Sequence, residues 1–282
     1  MKINSKNILS FTTILIFYIS TWSGCSSLSG RSFTTTEISY GSSDFEVKVA
    51  KYSGTNPSLK SILILPPTGG ENFIDRSYAR EFSRKGFDVY ILQSWTGMDE
   101  RSSDLEIHQR LYGRGQKAIE VVLNQINSPY IGLLGTSVGA LHGAVAASKQ
   151  AKLNSVFIIT GGAPVADVIV LSDQQAMQDL KKKRSERYGF KNAEENILAI
   201  DKNFSFEPMQ LGDGYKSKDL GMVIAENDET VPTVTQENLK NYWKPKKVIS
   251  YANGHFWGIV RTWLLDENEV ITFFEQKANS KK

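Results

Sequence analysis

Cysteine and histidine are scarce in this chain. One Cys in 282 residues excludes a disulfide framework and any Cys-based zinc cluster, because both need at least two thiols. There is no internal repeat, no low-complexity tract and no apolar run of the roughly 20 residues that a comfortable membrane span needs. Neither sign of charge is in marked excess: 33 Lys and Arg stand against 30 Asp and Glu, a formal net charge of +3. Two of those cations, Lys2 and Lys6, lie in a segment read below as removed. The balance therefore points neither to nucleic acid nor to an acidic partner. What is present, 40% hydrophobic and 22% charged residues, describes an ordinary folded protein long enough to bury a large apolar core.

Residues 1–24 have the order of a secretory signal. Lys2 and Lys6 precede an uncharged apolar run, Ile8 to Ile19, followed by small and polar residues up to Gly24. Ser23-Gly24-Cys25 resembles the lipobox of bacterial lipoproteins, although Trp22 replaces the aliphatic residue usual three positions before the Cys. The resemblance implies acylation of Cys25, cleavage before it, and a lipid anchor on a bacterial membrane. Ser26 is not the Asp of a retention signal, which points to the outer membrane. An uncleaved anchor, or a secreted or periplasmic protein with a stray thiol, are the competing expectations. Residues 25–32, with Ser29, Gly30 and Ser32, then form a polar tether.

Residues 33–282 alternate strand and helix. Two β-like stretches, Phe33 to Tyr40 and Phe45 to Tyr52, come first. Short apolar runs follow at Ser61 to Leu65, Asp88 to Leu92, Tyr130 to Leu134, Val156 to Thr160, Met222 to Ala225 and Lys247 to Tyr251. Runs apolar on both faces suit a buried parallel sheet. Helical spacing occupies Ile74 to Lys85, Leu105 to Ile126 and Ala140 to Lys149. Leu105, Leu111, Ile119, Val122, Leu123 and Ile126 make one stripe of the second. The alternation predicts a doubly wound, mostly parallel α/β sheet with ligands at the carboxyl ends of its strands. Gly161 to Asp219 shows no clear strand and reads as an inserted helical cap. Its row Lys181, Lys182, Lys183, Arg184 is expected to be a solvated helix face.

Gly135-Thr136-Ser137-Val138-Gly139 fits G-x-S-x-G, a turn that exposes a serine Oγ between a strand and a helix, and the predicted strand and helix flank it. A serine hydroxyl needs a base within hydrogen-bond reach, and the chain has three His. His142 is displaced about 7.5 Å along the helix that follows the serine, and His108 falls near an apolar stripe upstream. His255, in Asn253-Gly254-His255-Phe256 after the last strand, is the remaining base. Asp228, in the turn after Met222 to Ala225, is the candidate to orient it, with Glu226 and Glu229 as runners-up. Val138 supplies one oxyanion N–H. The other is assigned to Thr68 or Gly69, in Pro66-Pro67-Thr68-Gly69-Gly70.

The order Ser137, Asp228, His255 and the Gly-Thr-Ser-Val-Gly, Asn-Asp-Glu-Thr-Val-Pro and Asn-Gly-His-Phe motifs resemble the α/β-hydrolase superfamily of serine esterases, lipases and peptidases over about Phe33 to Lys277. Pro66-Pro67 replaces the family's frequent His-Gly, and Ala225 a frequent Gly. The resemblance implies a serine hydrolase, most simply a carboxylic ester hydrolase acting on a small ester or related acyl compound, with no metal or organic cofactor. A peptidase or thioesterase of the same fold, or a catalytically idle envelope binding protein, are the alternatives. Oligomeric state is not legible.

Overall fold

A strand buried on both faces cannot alternate apolar with polar residues, and the continuous apolar runs become the centre of the sheet for that reason. The computed structural model describes residues 34–42, 45–53, 58–93 and 102–279. The expected signal segment, Cys25 and the tether lie outside them. One eight-stranded sheet has the order β1-β2-β4-β3-β5-β6-β7-β8. Its strands are β1 (Thr34–Ser42), β2 (Phe45–Ser53), β3 (Lys60–Leu65), β4 (Asp88–Leu92), β5 (Tyr130–Thr136), β6 (Ser155–Ile159), β7 (Asp219–Ala225) and β8 (Lys247–Tyr251). β2 is antiparallel to both β1 and β4, while β3 to β8 are parallel. Every predicted apolar run lies on a strand, with Thr160 alone of their residues falling outside, because its φ of 53° turns it out of the β6 ladder; Phe33, the first residue of the first β-like stretch, lies outside the described residues.

Helices cover both faces, and alternation along each strand decides which residues meet them. Ile62 and Ile64 of β3 pack with α1 (Phe73–Arg84) and α8 (His255–Asn279), through Tyr78, Phe82 and Phe274. Leu63 and Leu65 point the other way, to α2 (Leu105–Gln125) and α3 (Val138–Lys149), through Ile119, Val122 and Ala144. α7 (Thr233–Trp243) joins that second layer with Leu239 and Trp243. Each large side chain buried in this way contributes roughly 1.5–3 kcal/mol. No helix of the described residues is long and apolar enough to cross a membrane.

Between β6 and β7 the chain forms α4 (Val165–Leu171), α5 (Gln175–Tyr188), α6 (Ala193–Asn203) and a 3-10 turn at Asp213–Ser217. Val165, Ile169, Leu180, Ile200 and Phe204 give this helical insertion its own apolar cluster, which Tyr112 of α2 and Val145 of α3 complete. The predicted α2 stripe is therefore divided. Ile119, Val122, Leu123 and Ile126 face the sheet, whereas the first half of the helix, with a partly buried Leu105, faces the insertion. One expectation is overturned here. Lys182 and Lys183 are exposed, but Arg184 is 0% exposed. It follows buried Leu180 by one helical turn and shares its inward face.

Candidate active site

Strand β5 enters helix α3 through Ser137, whose φ of 54° and ψ of −116° lie where a β-carbon is strained. The flanking glycines permit the turn. A β-carbon on Gly139 would stand 2.1 Å from the Leu65 carbonyl oxygen, and one on Gly135 would stand 2.5 Å from that of Gly139. The Ser137 N–H donates to the Ile159 carbonyl at 2.9 Å, so β3 and β6 grip the turn from both sides.

His255 opens α8 and faces this serine. Its Nε2 lies 2.8 Å from Ser137 Oγ and its Nδ1 lies 2.7 Å from Asp228 Oδ2. Asp228 is the carboxylate brought to the imidazole; Glu226 and Glu229 are both exposed. The Asp228 side chain is 0% exposed and fully engaged. Oδ1 accepts the N–H groups of Thr230 and Val231, each at 2.9 Å, and Oδ2 also accepts Gln236 Nε2 at 2.8 Å. The two loops are laced together through Asn227 N–H to the Asn253 carbonyl, at 3.1 Å.

Two of the three oxyanion candidates, Val138 and Thr68, lie beside the same serine. Val138 is the first residue of α3, where N–H groups have no acceptor inside the helix. Pro67 to Gly70 forms a turn closed by the Gly70 N–H on the Pro67 carbonyl at 3.1 Å, with Gly69 at φ 92°. Thr68 lines a cavity with Ser137 and Val138; Gly69 is not on that wall. The cavity measures about 90 Å³ and is otherwise walled by residues such as Leu141, Val165, Val168, Ile169 and Val231. The insertion thus roofs the serine, and Thr230 Oγ1, donating to Asp173 Oδ1 at 3.0 Å, ties it to the Asp228 loop.

The other two histidines do not reach the serine as bases. His142 is buried in α3, stacked on Tyr112 with ring centroids 3.8 Å apart, and its Nδ1 lies 2.8 Å from Gln116 Nε2. Burial holds its pKa well below the usual value, so it is a neutral wall of the cavity. His108 also lines the cavity. Sequence reasoning missed Gln236, a 0% exposed α7 residue that holds Asp228 while its Oε1 accepts the Ala225 N–H at 3.1 Å. It also missed Tyr112 on the cavity wall. Neither belongs to a motif, and helical phase relative to a still unlocated site was the only available signal.

No protein-family model matches the chain, and no curated protein sequence does either. Solved structures do. An esterase of Pyrococcus furiosus shares 13% identity at a TM-score of 0.61, over 87% of this chain and 94% of that one. An acylaminoacyl peptidase of Pyrococcus horikoshii shares 15% identity at 0.64, over 93% of this chain but 43% of its own length. A cold-adapted esterase from an Arctic intertidal metagenomic library shares 14% at 0.58, over 87% of this chain and 94% of that one. The chain has the α/β-hydrolase fold. Such identities speak for the fold, and the Ser137 turn occupies the carboxyl end of a central strand of it, where doubly wound sheets place their ligands.

Proposed function

We propose that the protein is a serine hydrolase, most simply a carboxylic ester hydrolase. The observation that carries this is the unbroken hydrogen-bonded chain from Ser137 Oγ through His255 to Asp228, on a strained turn facing a roofed cavity. His255 Nε2 takes the proton as Ser137 Oγ attacks the substrate carbonyl, and the imidazolium so formed is held by Asp228 at Nδ1. The negative oxygen of the tetrahedral intermediate is met by the N–H of Val138 and a second N–H from Thr68 or Gly69, of which Thr68 has the supporting position. His255 then returns the proton to the leaving alcohol, and a water activated by the same imidazole releases the acid. A strained, preorganised serine speaks against a catalytically idle member of the fold. The triad is indifferent to the leaving group, so a panel of ester, thioester and aminopeptide substrates separates esterase from thioesterase and peptidase.

The test is labelling by a fluorophosphonate together with turnover of simple esters. Ser137→Ala is expected to abolish labelling and to lower kcat by at least ~10³-fold, since binding and oxyanion contacts alone remain. Comparable turnover by the variant would end the assignment. We also propose, from the resemblance at Ser23-Gly24-Cys25, that the enzyme is exported and held at a bacterial membrane, the outer one in the first instance, by acyl chains on Cys25.

A further inference from the structure

One wall of the cavity beside Ser137 is polar, and the acyl-transfer chemistry leaves it unused. Helix α2 presents His108 and Tyr112 to it, one turn apart. Tyr112 is 7% exposed, and its Oη has no hydrogen-bond partner among the described residues. Burial pushes its pKa well above the usual phenol, so the hydroxyl remains a donor. Glu207, the carboxylate that bears on Tyr112, is already occupied by the N–H groups of Val165 and Met209 at 2.7 and 3.1 Å.

Arg184 of α5 stands one hydrogen bond behind His108. Its Nη2 donates to the Ser102 carbonyl at 3.1 Å and to His108 Nδ1. A guanidinium nitrogen cannot accept, so Nδ1 must, and the His108 proton sits on Nε2. Arg184 Nε and Nη1 are buried with no partner among the described residues, and no carboxylate among them forms an ion pair with the guanidinium. Burial lowers its pKa only to about 10, so it is charged at neutral pH. This side of the cavity therefore offers the Tyr112 hydroxyl as a donor and, behind His108, a buried positive charge that no carboxylate among the described residues pairs. That arrangement is costly for an empty protein and complementary to an anionic oxygen.

Resting on the hydrolase reading, we propose that this end of the cavity receives a carboxylate, so that the substrate is a monoester of a short dicarboxylic acid with Arg184 as a specificity-determining residue. At 10–15 Å³ for each water-sized group, a cavity of about 90 Å³ holds about six to nine of them. A four-carbon diacid half fits that room, and a long fatty acyl chain does not.

The experiment compares monoethyl succinate with ethyl pentanoate, a neutral ester of similar length, by base titration of the released acid. Wild type is expected to favour monoethyl succinate at least ~10-fold in kcat/KM, the order expected for opposite charges several Å apart at an effective dielectric of ~20. Arg184→Gln is expected to cut that preference at least ~10-fold. Tyr112→Phe, which keeps the ring stacked on His142, is expected to cut it about 3-fold or more, and it covers the case in which Arg184→Gln does not fold. A wild type that favours ethyl pentanoate, or a preference that survives in both variants, overturns the carboxylate site while leaving the hydrolase standing. Calorimetric titration of Ser137→Ala with monoethyl succinate separates the converse case. Binding there that is lost on adding Arg184→Gln supports the site even if wild type turns over neither ester, whereas no binding overturns it.

Discussion

Ser137 is held at a φ of 54° by neighbours that a side chain on Gly139 would push apart, and the hydrolase reading depends on that turn. The imidazole facing it is only as useful as the group that fixes its tautomer. Asp228→Asn is therefore expected to lower kcat by about 10⁴-fold, while Glu226→Gln and Glu229→Gln stay near wild type, since both glutamates are exposed. A crippled Glu226→Gln in the same ester assay would move the acid two residues earlier. At this scale the sequence was informative wherever geometry demands particular residue types: small residues around a nucleophile, a histidine at the end of a strand. It was silent on Gln236, because any residue able to donate to Asp228 could sit on the inner face of α7. It misled on Arg184, because a row of four cations on a helix covers a full turn and so cannot lie on one solvated face, and Arg184, four residues after buried Leu180, takes the inward position.

Among the elements, α1 shows how a cap couples stability to pH. Asn72 accepts the N–H groups of Ile74 and Asp75, and Asp75 returns the contact by accepting the Asn72 N–H at 3.0 Å, a reciprocal capping box. Asp75 is 2% exposed, and burial raises its pKa to about 7. Its unfolded value is about 3.9, so between about pH 4 and 7 the folded protein retains a proton that the unfolded chain has released. The sign follows: this residue's contribution favours folding at low pH and declines as pH rises through about 7. Asp75→Asn keeps an acceptor without the buried charge. Relative to wild type, it is expected to gain on the order of 3 kcal/mol between pH 5 and pH 8, measured from urea unfolding midpoints at each pH. Taking the difference cancels His142, whose burial as a neutral ring acts in the opposite direction at low pH. Element positions were legible from periodicity to within a few residues, since strands apolar on both faces and amphipathic helices bury their surface in distinguishable ways. The phase of α2 was not. Its first half is buried against an insertion that lies far along the chain, and a single stripe calculated against one sheet cannot anticipate two partners.

For the whole molecule, a doubly wound, mostly parallel sheet with the Ser137 turn at a carboxyl edge was readable from the βα alternation of residues 33–282, whereas the strand order β1-β2-β4-β3-β5-β6-β7-β8 was not, because periodicity says which segments are strands but not which of them pair. The proposed membrane location rests on the single thiol, Cys25. Mass spectrometry of the mature amino terminus is expected to find Cys25 acylated and the protein partitioning into detergent. Cys25→Ser is expected to remain unprocessed or become soluble, with ester hydrolysis retained. An unmodified thiol in the membrane fraction would sink the anchor and leave the enzyme untouched. A body with nearly balanced net charge has little overall attraction to an anionic membrane to substitute for acyl chains, since one weak signal gives only reversible binding.

The grip of β3 and β6 on the Ser137 turn has a further consequence. The turn's conformation is uphill for an isolated chain and exists only while Leu65, Gly139 and Ile159 are packed as they are here. Chemical reactivity at one oxygen therefore becomes a gauge of the assembled sheet: fraying at β1, or loosening of the insertion, can leave it intact, but separation of β3 or β6 from β5 cannot.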